Sequence, residues 1–220
     1  MTANRTPRPH RLPVLTLLAA LTVPFAAHAI TLGGFQIQAR GAQSLNLETG
    51  RTDLPQGGTA TDAAHGLTLQ GRTMSYEAGR SLRATGVTIR TAGGGNLRAD
   101  TVTYDVPGGR LDANGHLAFQ NSALKDLTAR TVRLDTRSGA VVATGGVTAR
   151  TPALKADRVV VLDGGKLVLL SGNYTLTSAG TRYAKAGSRA VLLLNGTNGR
   201  QTATATPPAA VLARFAPYLN

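Results

Sequence analysis

The sequence repeats itself with a period of 27 to 30 residues, and this constrains the fold more than any other feature. Four segments superimpose: Leu69–Glu77 (LQGRTMSYE), Leu97–Asp105 (LRADTVTYD), Leu127–Asp135 (LTARTVRLD) and Leu154–Asp163 (LKADRVVVLD). The fourth carries one extra residue before its Asp, which a β-bulge would absorb. Each copy continues into a second apolar-alternating run broken by Gly: Leu82–Ile89, Leu111–Phe119, Val141–Ala149 and Leu167–Leu176. A weaker fifth copy ends at Ala190–Gly196, and a degenerate first one covers Phe35–Gly58.

The unit is strand, turn, strand, turn. An acid followed within a few residues by Gly marks the turn after each first strand: Glu77 and Gly79, Asp105 and Gly109, Asp135 and Gly139, Asp163 and Gly165. The carboxylate bonds the turn's own amides and Gly supplies positive φ, so these acids are turn formers rather than catalysts. Abundant Gly, Thr, Ala, Val and Leu, with few aromatics, suits many short strands.

Parity within the strands carries the next step. In Leu97–Asp105 the small and apolar residues Leu97 and Ala99 are odd-numbered, whereas Val102 and Tyr104 are even-numbered. A straight strand cannot bury both pairs on one face. A bend at residues 100–101 turns both inward, and the Gly in each second half implies a matching kink. The fold class is therefore all-β: an antiparallel sheet of two-strand units, folded over into two walls around an apolar interior. At the bends Arg72, Asp100, Arg130 and Asp157 alternate in sign, which suggests a charge ladder across neighbouring strands.

Three domains of the chain are expected. Residues 1–29 read as a cleavable signal peptide, with Arg5, Arg8 and Arg11, an apolar stretch from Leu12 to Phe25 and the small-x-small site Ala27-His28-Ala29. Residues 30–199 form the β-domain, and 200–220 a linker with a short helix-like tail whose Val211, Leu212, Phe215 and Leu219 have helical spacing. That tail is expected to cap the last strand or to dock on a partner, with capping favoured because open sheet edges are usually covered. With that signal peptide the product is expected to be exported to the periplasm, and with no Cys it has no disulfide scaffold and no acylation site, so it is not expected to be a lipoprotein. Of 24 Lys+Arg and 11 Asp+Glu, cleavage removes three Arg and no acid, leaving 21 against 11, or +10. After export that charge meets lipid phosphates and surface glycans, and nucleic acid is not an expected partner.

No catalytic constellation is found, and no cofactor or metal is expected. His65 and His116 have no metal-ligand spacing, the glycines at 93–95 precede no helix or Lys, and no Ser lies in a nucleophile elbow. Asn173-Tyr174-Thr175 and Asn195-Gly196-Thr197 match glycosylation acceptors only by short motifs.

The phrase Leu-x-Ala-Asp/Arg-x-Val-x-Tyr/Leu-Asp, a turn and then Ala-x-Gly-x-Val resembles the OstA/LptA family. It is seen best in Leu97–Asp105 leading to Leu111-Asp-Ala-Asn-Gly115, and in Val141-Val-Ala-Thr-Gly-Gly-Val147. The resemblance covers roughly Phe35 to Gly196. It implies a β-jellyroll, a twisted V-shaped stack of antiparallel strands that cradles acyl chains. It also implies a role in a periplasmic bridge carrying lipopolysaccharide to the outer membrane, with end-to-end self-association and membrane-protein partners at either end. The acyl-chain candidates are the inward-pattern residues Met74, Tyr76, Val87, Ile89, Val102, Tyr104, Leu117, Phe119, Val132, Leu134, Val147, Val159 and Tyr174. Candidates for an anionic headgroup are the strand-end cations Arg90, Arg98, Arg133, Arg150 and Lys155. Two alternatives compete: a structural envelope β-protein gripping anionic glycan or membrane, and a glycan-degrading solenoid. The scarcity of aromatics and the use of acids in turns count against the second.

Overall fold

The computed structural model describes residues 30–32, 35–64, 66–121, 124–197 and 200–219. The signal-peptide reading and His65 fall outside them. Among the described residues seventeen strands form one antiparallel sheet. They are β1 (Ile30–Leu32), β2 (Phe35–Ala39), β3 (Ser44–Asn46), β4 (Arg51–Leu54), β5 (Gly58–Asp62), β6 (Leu67–Gly71), β7 (Thr73–Glu77), β8 (Ser81–Thr91), β9 (Asn96–Asp105), β10 (Arg110–Gln120), β11 (Leu127–Asp135), β12 (Val141–Ala149), β13 (Ala153–Leu162), β14 (Leu167–Ser178), β15 (Thr181–Lys185), β16 (Val191–Thr197) and β17 (Arg200–Thr204). One helix follows, α1 (Ala209–Phe215), continued by a 3-10 turn over Ala216–Tyr218.

The pairings resolve this sheet into two walls joined along a line of bends. The halves of β8 pair separately, Ser81–Thr85 with β7 and Thr88–Thr91 with β6, while β9 runs antiparallel to β8 on both sides of the bend. One wall, A, runs β3-β4-β7 and then the halves of β8 to β14 that lie next to the acid-Gly turns, ending in β16 and β17. The other, wall B, runs β1-β2-β5-β6, then the opposite halves of β8 to β14, ending in β15. Leu97 and Ala99 from wall B and Val102 and Tyr104 from wall A join a single buried cluster. The parity switch therefore marks the bend, with Asp100 and Thr101 exposed at the turn of β9.

The bends themselves have a repeated construction. Gly86, Gly115, Gly145 and Gly172 have φ of +55°, +74°, +85° and +83°, the left-handed region that a side chain would strain. Over each lies a charged residue of the preceding bent strand: Arg72 over Gly86, Asp100 over Gly115, Arg130 over Gly145 and Asp157 over Gly172. A Cβ at Gly145 would lie 2.5 Å from the Cβ of Arg130. The charge ladder expected from sequence is thus not formed, because a Gly-bearing strand separates each of the four charges from the next, putting them about 10 Å apart at sheet spacing. Each charge finds a local partner instead where it has one. Asp100 pairs with His116 at 2.6 Å, and Asp157 accepts from the amide and side chain of Asn173 at 2.8 and 2.9 Å.

Two further expectations change. The extra residue before Asp163 makes no bulge there, since β13 and β14 pair without a break from Arg158↔Ser171 to Leu162↔Leu167. The strand simply runs one residue longer. The stretch expected as linker is extended but not free, because Arg200–Thr204 pairs with β16 as β17.

The tail also packs elsewhere than on a strand end. Phe215 is fully buried against Ala140, Val160, Leu162, Leu169 and Leu193 on the outer face of wall A. Val142, Val160, Leu169 and Leu193 form one row across β12, β13, β14 and β16. This explains the unbroken apolar runs Val159–Leu162, Val168–Leu170 and Leu192–Leu194: these strands are buried on both faces. Polar ties hold the tail down, from Arg158 Nη1 to the Tyr218 carbonyl at 3.2 Å, from Tyr218 Oη to Ser138 Oγ at 2.9 Å, and from Arg214 to Asp163 at 2.6 Å.

Candidate lipid-binding interior and its mouth

Every acyl-chain candidate points between the walls, and all but Phe119 and Leu134 are buried. Alternation places them there. In β9 the pattern is half-buried, buried, exposed, buried, then two exposed residues at the bend before buried and exposed resume. The interior is closely packed, with Phe35 and Tyr104 ring centroids 4.9 Å apart in an edge-to-face arrangement. The Tyr174 hydroxyl donates to the Val191 carbonyl at 3.2 Å, and burial pushes its phenol pKa up from the ordinary 10.0.

Phe119 and Leu134 differ because they sit where the walls part. Two rows of turns face each other along the open side of the V. A cavity of about 330 Å³ lies between the turns at 91–95 and 119–121 on wall B and those at 134–141 and 161–164 on wall A. Its floor is apolar, made by Leu67, Phe119, Leu134, Val141 and Val161, and its rim carries Thr91, Asn121, Thr136, Ser138 and Arg137. Leu134 and Val141 pair across β11 and β12, and Val141 pairs on with Val161, so the floor is continuous with the core of wall A. The volume lies within the range of small-molecule sites, and the arrangement offers apolar depth beneath a polar lip.

The basic candidates are not gathered at this mouth. Arg90, Arg98 and Lys155 are exposed on the outer face of wall B, since they alternate with inward Ile89, Leu97 and Leu154. Arg133 lies on the outer face of wall A and is paired with Asp112 at 2.7 Å, and Arg150 is paired with Asp126 at 2.5 Å. The cation at the mouth is Arg137, whose Nη2 donates to the Pro107 carbonyl at 2.5 Å. Sequence reading passed over it because Asp135-Thr-Arg-Ser-Gly139 has the chemistry of a turn: Asp135 Oδ1 accepts from the amides of Arg137 and Ser138, both at 2.9 Å. Only the folding-over of the sheet reveals that this turn faces a second row of turns. Among the described residues no three His, Cys, Asp or Glu come together as a metal site, and no helix is long and apolar enough to cross a membrane.

No protein-family model matches the sequence, and no curated protein matches it. Among solved structures the chain is similar to LptH of Pseudomonas aeruginosa, described as the LptA homologous periplasmic component of the conserved lipopolysaccharide transport device. The match has 12% identity and a TM-score of 0.36, and covers 79% of this chain and 95% of LptH.

Proposed function

We propose that this protein is an exported, non-enzymatic lipid carrier of the periplasm, and that its cargo is lipopolysaccharide or a related envelope lipid. The observation that carries the reading is the mouth. Half-buried Phe119, Leu134 and Val141 lead from an open cavity into an apolar interior that both walls share. Apolar depth beneath a polar lip is the make-up of a ligand site. The acyl portion of the lipid enters between the two rows of turns, and its polar part remains at the lip with Arg137, Ser138 and Thr91. The sheet leaves strands at its ends, β3 and β17 on wall A and β1 and β15 on wall B, through which copies or related β-proteins join end to end. The named lipid follows the resemblance of the repeat to the OstA/LptA family.

The test is native mass spectrometry of the mature protein purified from its own envelope, followed by lipid extraction. Lipid should co-purify with the wild type and be lost from Leu134→Asp, a change at a half-buried site, in a variant whose far-UV circular dichroism matches the wild type. A wild-type protein that carries no lipid and takes none up would overturn the reading. It would favour a structural envelope protein, a second reading supported by how fully the deeper interior is packed: Val102, Val147 and Val159 are each no more than 1% exposed.

A further inference from the structure

The turn that follows Asp135 carries a cation that the turn itself does not use. The side chain of Arg137 crosses to the neighbouring acid-Gly turn, where a Cβ at Gly109 would meet its Nε at 3.0 Å and its Nη2 donates to the Pro107 carbonyl. Held at both points, the guanidinium keeps its other N–H donors for a ligand. Among the described residues it is the single charged side chain that lines the cavity at the mouth. Asp105, Asp135 and Asp163 in the nearby turns do not line it. Asp135 Oδ1 accepts from two amides of its own turn, and Asp163 pairs with Arg214.

The hydroxyls of the lip are likewise left as donors. Thr91 Oγ1 accepts from the Gly95 amide at 3.0 Å, and Ser138 Oγ accepts from the Tyr218 hydroxyl at 2.9 Å. Each oxygen has accepted a bond while its own hydrogen remains to give. A lip of one guanidinium flanked by hydroxyl donors fits one negative charge, and the planar guanidinium fits the two oxygens of a carboxylate.

The room beneath is limited. A methylene is close in size to a water molecule, whose share of the liquid is about 30 Å³, so about ten of them fill the 330 Å³ cavity. The next row of wall A inward from the floor, Val132, Ala143 and Val159, is buried. A second chain finds no space beside the first while the walls stand as they do.

We infer that the mouth binds a single-chain fatty acid of about ten carbons, its carboxylate on Arg137 and its chain against Phe119, Leu134 and Val141. This assignment rests on the reading of the mouth as a ligand site and narrows the class of ligand that the closed walls accept. A lipid with several chains would have to part them.

The mature protein is titrated by calorimetry with octanoate, decanoate, dodecanoate and tetradecanoate, and with decanol, each below the concentration at which it aggregates. Affinity should rise about tenfold from octanoate to decanoate as further methylenes are buried, and should level off from dodecanoate to tetradecanoate once the cavity is full. Decanol should bind about tenfold more weakly than decanoate, and Arg137→Gln should remove that difference. Arg83→Gln, which changes an exposed cation elsewhere on wall A, should leave the series unchanged. The chain-length series and the comparison with decanol need the wild type alone, so they decide the matter even where the variant fails to fold. Absence of binding by every carboxylate, an affinity that still climbs at tetradecanoate, or equal binding of decanoate and decanol overturns the assignment. Envelope lipid that co-purifies while no carboxylate binds refutes this assignment and leaves the carrier reading standing, and the reverse result refutes the carrier reading alone.

Discussion

Replacing Phe215 with Ala should release the C-terminal tail from the sheet without unfolding the sheet. Phe215 is wholly buried in a cluster it shares with Val160, Leu169 and Leu193. Truncating such a residue costs about 3–5 kcal/mol when the surroundings stay in place. Against that loss the tail sets only the partial burial of Val211, Leu212, Tyr218 and Leu219 on the same cluster. A helix of seven residues does not hold itself together in water, and Pro208 at its start offers no side-chain cap. Tyr218 contributes two hydrogen bonds, each about 1 kcal/mol net, and the Arg214–Asp163 pair is exposed and adds little. Keeping the backbone of residues 209–219 ordered costs about 1–2 kcal/mol per residue, so the remaining ties cannot keep it docked.

The readout is amide hydrogen exchange. Val211 and Leu212 donate to the Pro208 carbonyl at 3.0 Å and Leu219 to that of Ala216 at 3.3 Å, and all three should exchange near the unfolded rate in the variant. Amides of β9 and β10 should keep wild-type protection. The uncovered row Val142, Val160, Leu169 and Leu193 should bind an apolar dye. If the interior takes up lipid as proposed, that uptake should quicken as well, because Ser138 and Gly164, beside the tail's anchors, line the mouth. Unchanged exchange at 211–219, or a loss of the full 3–5 kcal/mol from every strand together, would refute the view of the tail as a separately docked brace.

Two other outcomes follow from the bends. Gly79→Ala and Gly145→Ala both place a side chain at positive φ, but nothing lies within 4 Å of a Cβ at Gly79, whereas at Gly145 it would meet Arg130. Denaturant unfolding should show a loss of about 1–2 kcal/mol for the first and distinctly more for the second, and equal losses would mean that the packing of charge over Gly does not fix the bend. The hydrogen bond and charge of Asp100 raise the pKa of His116 above the ordinary 6.5. A pKa raised in the folded state adds stability that is complete below 6.5 and fades as pH climbs through the raised value. An NMR titration should find the raised pKa returning toward 6.5 in Asp100→Asn, and because the pair is exposed the change in melting should be slight.

The period of the repeat, the parity switch at Asp100 and the Gly at each second half sufficed to determine a folded-over antiparallel sheet and the identity of the residues between its walls. These are local facts: strand alternation and positive φ act within a few residues of one another. What tertiary structure decided was everything that depends on which strands lie side by side. The four bend charges look adjacent when the copies are aligned, yet in space a Gly-bearing strand stands between each pair. The runs Val159–Leu162 and Leu192–Leu194 show no period that says what lies on their second face, and only the return of the tail supplies Phe215 to cover it. Arg137 reads as an ordinary turn residue until the sheet folds over and brings its turn to face another across the mouth. Alternation fixes which way a side chain points relative to its own strand, but what it meets there depends on contacts many residues away in sequence.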